Sequence, residues 1–148
     1  MLHQNNFPTK ERGFTLVELL MVVALIGIIS ALAIPNFISS QRAARAATAI
    51  SSLRLIHSSE SSYNSAKGSY ESLETLGAAG FLDDPSLRSG SKEGYSFVLS
   101  LSDNNGKFEV SATPLLVPSA SQYFFIDTSG VIRAETGSAA DVSSTPIN

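Results

Sequence analysis

Glu18 is the one charged side chain in a 21-residue apolar run from Phe14 to Ile34. At the standard helical rise such a run spans ~31 Å, about the thickness of a bilayer's hydrocarbon core. A carboxylate placed there costs ~2.5 kcal/mol or more unless it is paired or lies near an interface. The chemistry open to it is to hold a cation where leaving either charge unmatched is expensive. The run supplies no such cation itself.

Other reactive side chains are less organised. His57 sits among Ser58, Ser59, Ser61 and Ser62, but serine is abundant throughout and no fixed Ser–His–acid arrangement follows from the spacing. The expectation is no catalysis, with His57 solvated or at an interface. Asp83-Asp84 and Asp103 resemble a calcium loop only in composition, since the twelve-residue pattern with its terminal glutamate is absent. Phe14, Phe37 and Tyr63 lie 23 and 26 residues apart, which at helical rise leaves ~35 and ~39 Å between them and no stacked path. No metal and no cofactor are expected. The chain has no cysteine, which removes disulfides, thiol catalysis and cysteine-based zinc sites together.

The elements that must position Glu18 begin just before it. Lys10-Glu11-Arg12-Gly13 closes a short polar stretch, and the apolar run is longer than the 7–15-residue core of an ordinary secretory signal. Ala31-Leu32-Ala33 is a poor imitation of a cleavage site beyond the run, so the expected cut lies at Gly13/Phe14.

The string Arg12-Gly13-Phe14-Thr15-Leu16-Val17-Glu18 resembles the class III signal of type IV prepilins. The resemblance is strong from Gly13 to about Phe37, looser to about Tyr70, and beyond that one of general layout. It implies that a membrane peptidase cuts after Gly13, that Phe14 becomes the methylated N-terminus, and that Glu18 is the family's characteristic acid. A new amine at Phe14 would then lie one helical turn from Glu18. In a fibre it could meet Glu18 of an adjacent subunit and set the axial register. Lys10 and Arg12 before the run nearly balance Arg42 and Arg45 after it, so charge alone does not orient the segment. The resemblance does, with a cytoplasmic leader and a periplasmic C-terminal domain. Some secretion pseudopilins bind calcium in a C-terminal loop, but no ligands map onto positions here.

Net charge is −3, and without Lys10, Glu11 and Arg12 it is −4, with 8 basic and 12 acidic side chains. Nucleic acid is therefore not an expected partner, because surfaces that bind it are strongly basic. At 148 residues there is room for one domain besides the membrane segment.

Past Pro35 the apolar pattern resumes, and Ala46, Ile50, Leu53 and Ile56 form one stripe at spacings of three and four. This predicts one helix from about Phe14 to about Ser65, kinked near Pro35. Roughly 50 residues, or ~75 Å, is too long for one small domain to bury. Its first half must face a membrane or other subunits. Gly27 and Pro35 bracket a stretch of weak helical preference. In membrane helices both are common; the resemblance also implies that this stretch unwinds in a fibre.

The remainder reads as strands: 95–101, 107–113, 122–127 and 131–135, with a helical turn near 71–76 and a loop from Gly77 to Gly94. Asn105-Gly106 is expected to turn the first hairpin with positive φ at both positions. The fold class is thus α+β, with the outer half of the long helix on a roughly four-stranded antiparallel sheet. Core candidates are Phe97, Leu99 or Val98, Phe108, Val110, Phe124, Ile126 and Ile132, with Tyr63, Tyr70, Leu73 and Leu76 covering one end. The expected divisions are a leader at 1–13, a transmembrane and polymerisation segment at 14–35 and an amphipathic second half at 36–66. Loop and sheet follow at 67–137, then a flexible tail at 138–148.

The resemblance implies a structural subunit of a type IV pilus, a fimbrium used in adhesion or twitching motility. Its expected partners are copies of itself or co-assembling pilins, the prepilin peptidase/methyltransferase, an inner-membrane assembly machinery, and lipid before assembly. The expected residues are Gly13 and Phe14 for leader cleavage, Phe14 for methylation, and Phe14, Glu18, Gly27 and Pro35 for filament assembly. The rivals are a pseudopilin of type II secretion and a membrane-tethered periplasmic binding domain.

Overall fold

A computed structural model describes residues 13–147. The leader expected at 1–13, Gly13 apart, lies outside them. The chain divides into two units, Met1–Ser39 and Ser40–Asn148.

One helix, α1 (Leu16–Lys67), contains 52 residues and carries Pro35 inside it. In the first unit its apolar side chains are exposed almost without exception, and it contains a stretch long and apolar enough to cross a membrane, none of it buried. In the second unit the same helix turns one face inward: Ala49, Ser52, Leu53, Ile56, Ser59 and Glu60 are buried. The expected stripe is therefore shifted and longer. Ala46 and Ile50 lie at its margin, only partly buried, and it continues through two polar residues.

Two short helices follow. Ser72 caps α2 (Leu73–Ala78) through its hydroxyl, which accepts from Thr75 N–H at 3.2 Å. Asp84 caps α3 (Pro85–Arg88), with Pro85 at a position where its missing amide costs nothing. α3 falls in the stretch read as loop.

The sheet is a meander of six antiparallel strands in chain order: β1 (Ser91–Lys92), β2 (Tyr95–Ser102), β3 (Lys107–Pro114), β4 (Gln122–Asp127), β5 (Arg133–Thr136) and β6 (Thr145–Pro146). Four strands were expected. The two others are edge strands of two residues each, too short to show alternation. Residues 138–148 were expected as a flexible tail, yet β6 pairs with β5 and Ala140 and Ser144 are buried. Arg133 Nη1 donates to Ser144 O at 3.1 Å, and Ile147 N–H donates to Ile132 O at 2.8 Å. Small polar residues look loose in a sequence, but here their hydroxyls and backbone are hydrogen-bonded. Asp141, for example, accepts from Ser143.

The β2–β3 turn also differs from expectation. Positive φ falls at Asp103, Asn104 and Asn105 and not at Gly106. Ser102 and Lys107 are the last pair, so the loop has four residues and a different geometry from the two-residue turn that Asn-Gly favours. Glycine is needed at 106 for space, since a Cβ there would lie 2.9 Å from Asp103 O.

The α+β core lies between the inner half of the sheet's side chains and the buried face of α1. Leu53, Ile56, Phe97, Phe108, Val110, Phe124, Ile126 and Ile132 all join it. Leu99 packs against this core while Val98 is exposed, which decides between the two candidates. Tyr70 meets Phe108 edge-on at 4.8 Å and Tyr63 meets Phe81 at 5.3 Å, closing one end.

Candidate functional site

The described part of the expected signal, from Gly13 to Glu18, lies at the start of α1. Thr15 precedes the first helical residue, and its side chain and that of Glu18 are reciprocally bonded. Glu18 Oε2 accepts from Thr15 N–H at 2.9 Å and from its hydroxyl at 2.8 Å, while Thr15 Oγ1 accepts from Glu18 N–H at 3.2 Å. This is a capping box, which satisfies amides that a helix N-terminus otherwise leaves open. Thr15 is the functional neighbour that sequence reasoning passed over. The spacing Thr-x-x-Glu ahead of an apolar run was the available signal.

Both Thr15 donors go to the same carboxylate oxygen, so Oε1 is left without a hydrogen bond among the described residues. Gly13 and Phe14 stand immediately outside the helix, Phe14 strongly exposed. Gly27 and Pro35 lie within the helix, nine and seventeen residues beyond Glu18, and are not brought to it. A Cβ at Gly27 would meet nothing within 4 Å, so no packing in the single chain demands glycine there.

The other titratable candidates have structural partners. His57 tilts against Phe108, with ring centroids 5.8 Å apart, and its imidazole fills the space a Cβ at Gly130 would need. Ser62 donates to Ser58 O and Ser65 to Ser61 O, which ties these hydroxyls to the helix's own carbonyls. Asp84 caps α3 and meets Lys92 Nζ at 2.6 Å, so the ammonium holds its carboxyl below the usual range. Asp103 pairs with Lys107 at 3.0 Å across the turn.

Glu60 was not anticipated. It is fully buried, its Oε2 accepts from Glu71 N–H at 3.2 Å, and its Oε1 has no partner among the described residues. Burial pushes its carboxyl up to about 7, and the nearby Glu71 carboxylate adds to the shift.

Comparison with known proteins bears on the first of these sites. A family model described as the prokaryotic N-terminal methylation motif matches residues 8–34. The type IV major pilin protein PilA of Myxococcus xanthus (strain DK1622) is 42% identical over 66 residues, 45% of this chain and 30% of that protein. The type II secretion system core protein G of Escherichia coli (strain K12) is 31% identical over 90 residues, 58% of this chain and 61% of that protein. The chain thus spans less than two thirds of the length of either relative. No solved structure gives a significant match.

Proposed function

We propose, from the type IV pilin/pseudopilin family that the methylation motif and both relatives support, that this chain is a structural subunit of a type IV pilus. The observation that carries the proposal is a lone carboxylate at the first turn of a membrane-length apolar helix, five residues past a glycine. The apolar stretch fits an inner-membrane anchor before assembly.

In this reading the peptidase cuts between Gly13 and Phe14, and Phe14 is methylated. The amine so formed pairs with Glu18 of an adjacent subunit through the oxygen that the capping box leaves open. Pairing in low dielectric penalises a mismatched neighbour, so its contribution is register more than cohesion. Cohesion comes from the apolar side chains exposed along 14–38, which bury against other copies once lipid is left behind. The relatives support a structural and not an enzymatic role at the level of the family.

One observation favours a second reading, a pseudopilin of type II secretion. The similarity to core protein G reaches over 90 residues, well past the apolar run. The test is where the chain ends up. Long surface filaments sheared from cells and containing this chain support the pilus subunit. Retention in the envelope, with loss of protein export on deletion, supports the pseudopilin and overturns the preferred reading.

A further inference from the structure

The β3–β4 connection exposes Leu115, Leu116 and Val117 in succession, at 55%, 52% and 50% of their full areas. Consecutive exposed aliphatics are unusual in a loop unless something covers them. The backbone is held there, with Leu115 N–H donating to Gly94 O at 2.8 Å and the Ser121 hydroxyl 3.2 and 3.0 Å from the carbonyls of Leu116 and Val117. Two cations of α1 stand beside the loop. A Cβ at Gly94 would lie 3.6 Å from Arg45 Cδ and 3.8 Å from Leu116 Cδ1, so the arginine stem and the leucine methyl flank one point. Arg42 lines a recess of about 100 Å³ with Ala46, Tyr95 and Ser121, and its buried Nε has no partner among the described residues. Neither arginine joins an ion pair among those residues, although Arg45 donates to Gln41 Oε1 at 3.4 Å. A donor already stripped of water gains a charge-assisted hydrogen bond from an incoming carboxylate at little further desolvation. Glu93, exposed next to Gly94, offsets part of the patch's charge.

The complementary feature lies on the far side of the sheet. Glu109 and Asp127 are directly opposed across β3 and β4. Their neighbours Phe108, Val110 and Ile126 point into the core, so both carboxylates share the face turned away from α1. Like charges so placed destabilise a sheet unless a cation joins them. Nearby cations have other partners: Lys107 pairs with Asp103, and Arg133 Nη1 donates to Ser144 O. Asp127 accepts from Ser129, whereas Glu109 belongs to neither ion pair of the described residues. On the same face Ser100 lies across from Glu109, and Val98, two residues before it, is 58% exposed. This face joins an exposed aliphatic to unmet negative charge, as the loop joins exposed aliphatics to unmet positive charge.

Within one chain the two patches stay apart, the recess on the helix side of the sheet and the acids on its outer face. Every copy carries both, so a second copy offers each patch its complement. We propose that the loop 115–118, with Arg42 and Arg45, docks on the outer face of β2–β4 of a second copy. The aliphatic side chains cover Val98, and the guanidiniums meet the carboxylates of Glu109 and Asp127. Two different patches in contact make a heterologous interface, which adds copies head to tail and does not close a two-fold pair. The inference rests on the proposed subunit role in one respect: apolar helices gather the copies, and at that effective concentration a weak contact is populated.

The chain contains no cysteine, so introduced thiols report one place each. Leu116→Cys and Ser100→Cys, singly and together, are made in the full chain. Cells and any sheared filaments are then treated with a short bismaleimide. Docking predicts a ladder of multimers from the double variant and monomer from either single variant. Adding Arg42→Glu should weaken the ladder several-fold, and Glu109→Arg in the same chain should restore it. An unaffected ladder, or a loss that Glu109→Arg does not repair, overturns the proposal. Dimers from Leu116→Cys alone assign the loop to a two-fold contact and overturn it too. Unsubstituted chains that form filaments while the double variant gives no ladder overturn the docking and leave the subunit role standing. A ladder in the envelope without surface filaments supports the docking and removes the pilus reading. Neither ladder nor filaments removes both.

Discussion

Glu18 caps the helix with Thr15 and, in the proposed fibre, sets register, and two substitutions separate the two roles. Glu18→Gln retains an amide oxygen for the Thr15 donors but loses the charge; Glu18→Ala loses cap and charge together. If the charge sets register, both variants are cleaved and remain in the membrane but yield few or no filaments. Filament yield that survives in Glu18→Gln and fails in Glu18→Ala would assign the residue to capping alone, a contribution of about 1 kcal/mol. Gly13 is tested by a bulkier side chain: Gly13→Val is expected to leave the N-terminal segment attached, seen as an undiminished mass of the membrane-bound chain.

Glu60 predicts a pH dependence of the globular unit. Its carboxyl rises from an ordinary value of 4.5 to about 7 in the folded chain, so folding favours the protonated form. The stability this confers is complete below about pH 4.5, falls as pH rises toward 7, and is lost beyond; the difference amounts to about 3 kcal/mol. Thermal unfolding of the detergent-solubilised chain should show that decline, and Glu60→Gln should flatten it. A wild-type profile without slope between those pH values would remove the assignment. Glu60 was illegible in the sequence because a charged residue at a stripe position reads as the edge of the solvent face. Thr15 was legible as half of a capping box, with Glu18 three residues on as the other half.

Among the elements, β2 and β3 could be read from alternation, β4 from its aromatic and β-branched run and the fourth strand from Val131-Ile132 after the Thr128-Ser129-Gly130 turn, and β2, β3 and β4 start and stop close to where composition changes. β1 and β6 could not, since pairing over two residues depends on a neighbour being in place and leaves no pattern of its own. The same holds for the turn at 103–106, where loop length overrode the preference of Asn-Gly. The helix was legible from end to end through its apolar periodicity, whereas its exact inward face was not, because Ser52 and Ser59 are small enough to pack under a sheet. Leu53→Ala, at the centre of that face, should cost 2–5 kcal/mol by denaturant unfolding. Val98→Ala, on the outer side of β2, should stay within about 0.5 kcal/mol. Truncation after Ala139 removes β6 and the acceptor of Arg133, and should lower the melting temperature although it deletes residues of little apparent value.

At the scale of the molecule, one stretch of α1 lies exposed and apolar while another carries a sheet. The first unit is uncomfortable alone in water, and the second has its own core. Purification without detergent should therefore give aggregates or filaments. A chain starting after Ser39 should remain soluble and monodisperse by size exclusion; its precipitation would mean that the sheet-bearing unit does not stand by itself. The C-terminal segment is closed by β6, Arg133 and the Asp141–Ser144 turn.

Every strand of the meander lies beside its predecessor in the chain. Such nearest-neighbour pairing keeps the sequence separation between partners small, and low contact order favours rapid folding. The strands can zip in the order in which they are synthesised, each arriving to find its template already laid down. The two residues of β6 that seal β5 are the last strand to emerge. A nascent chain therefore carries an unsealed β5 edge until β6 has emerged, and chains cut short before residue 145 would present that edge to one another.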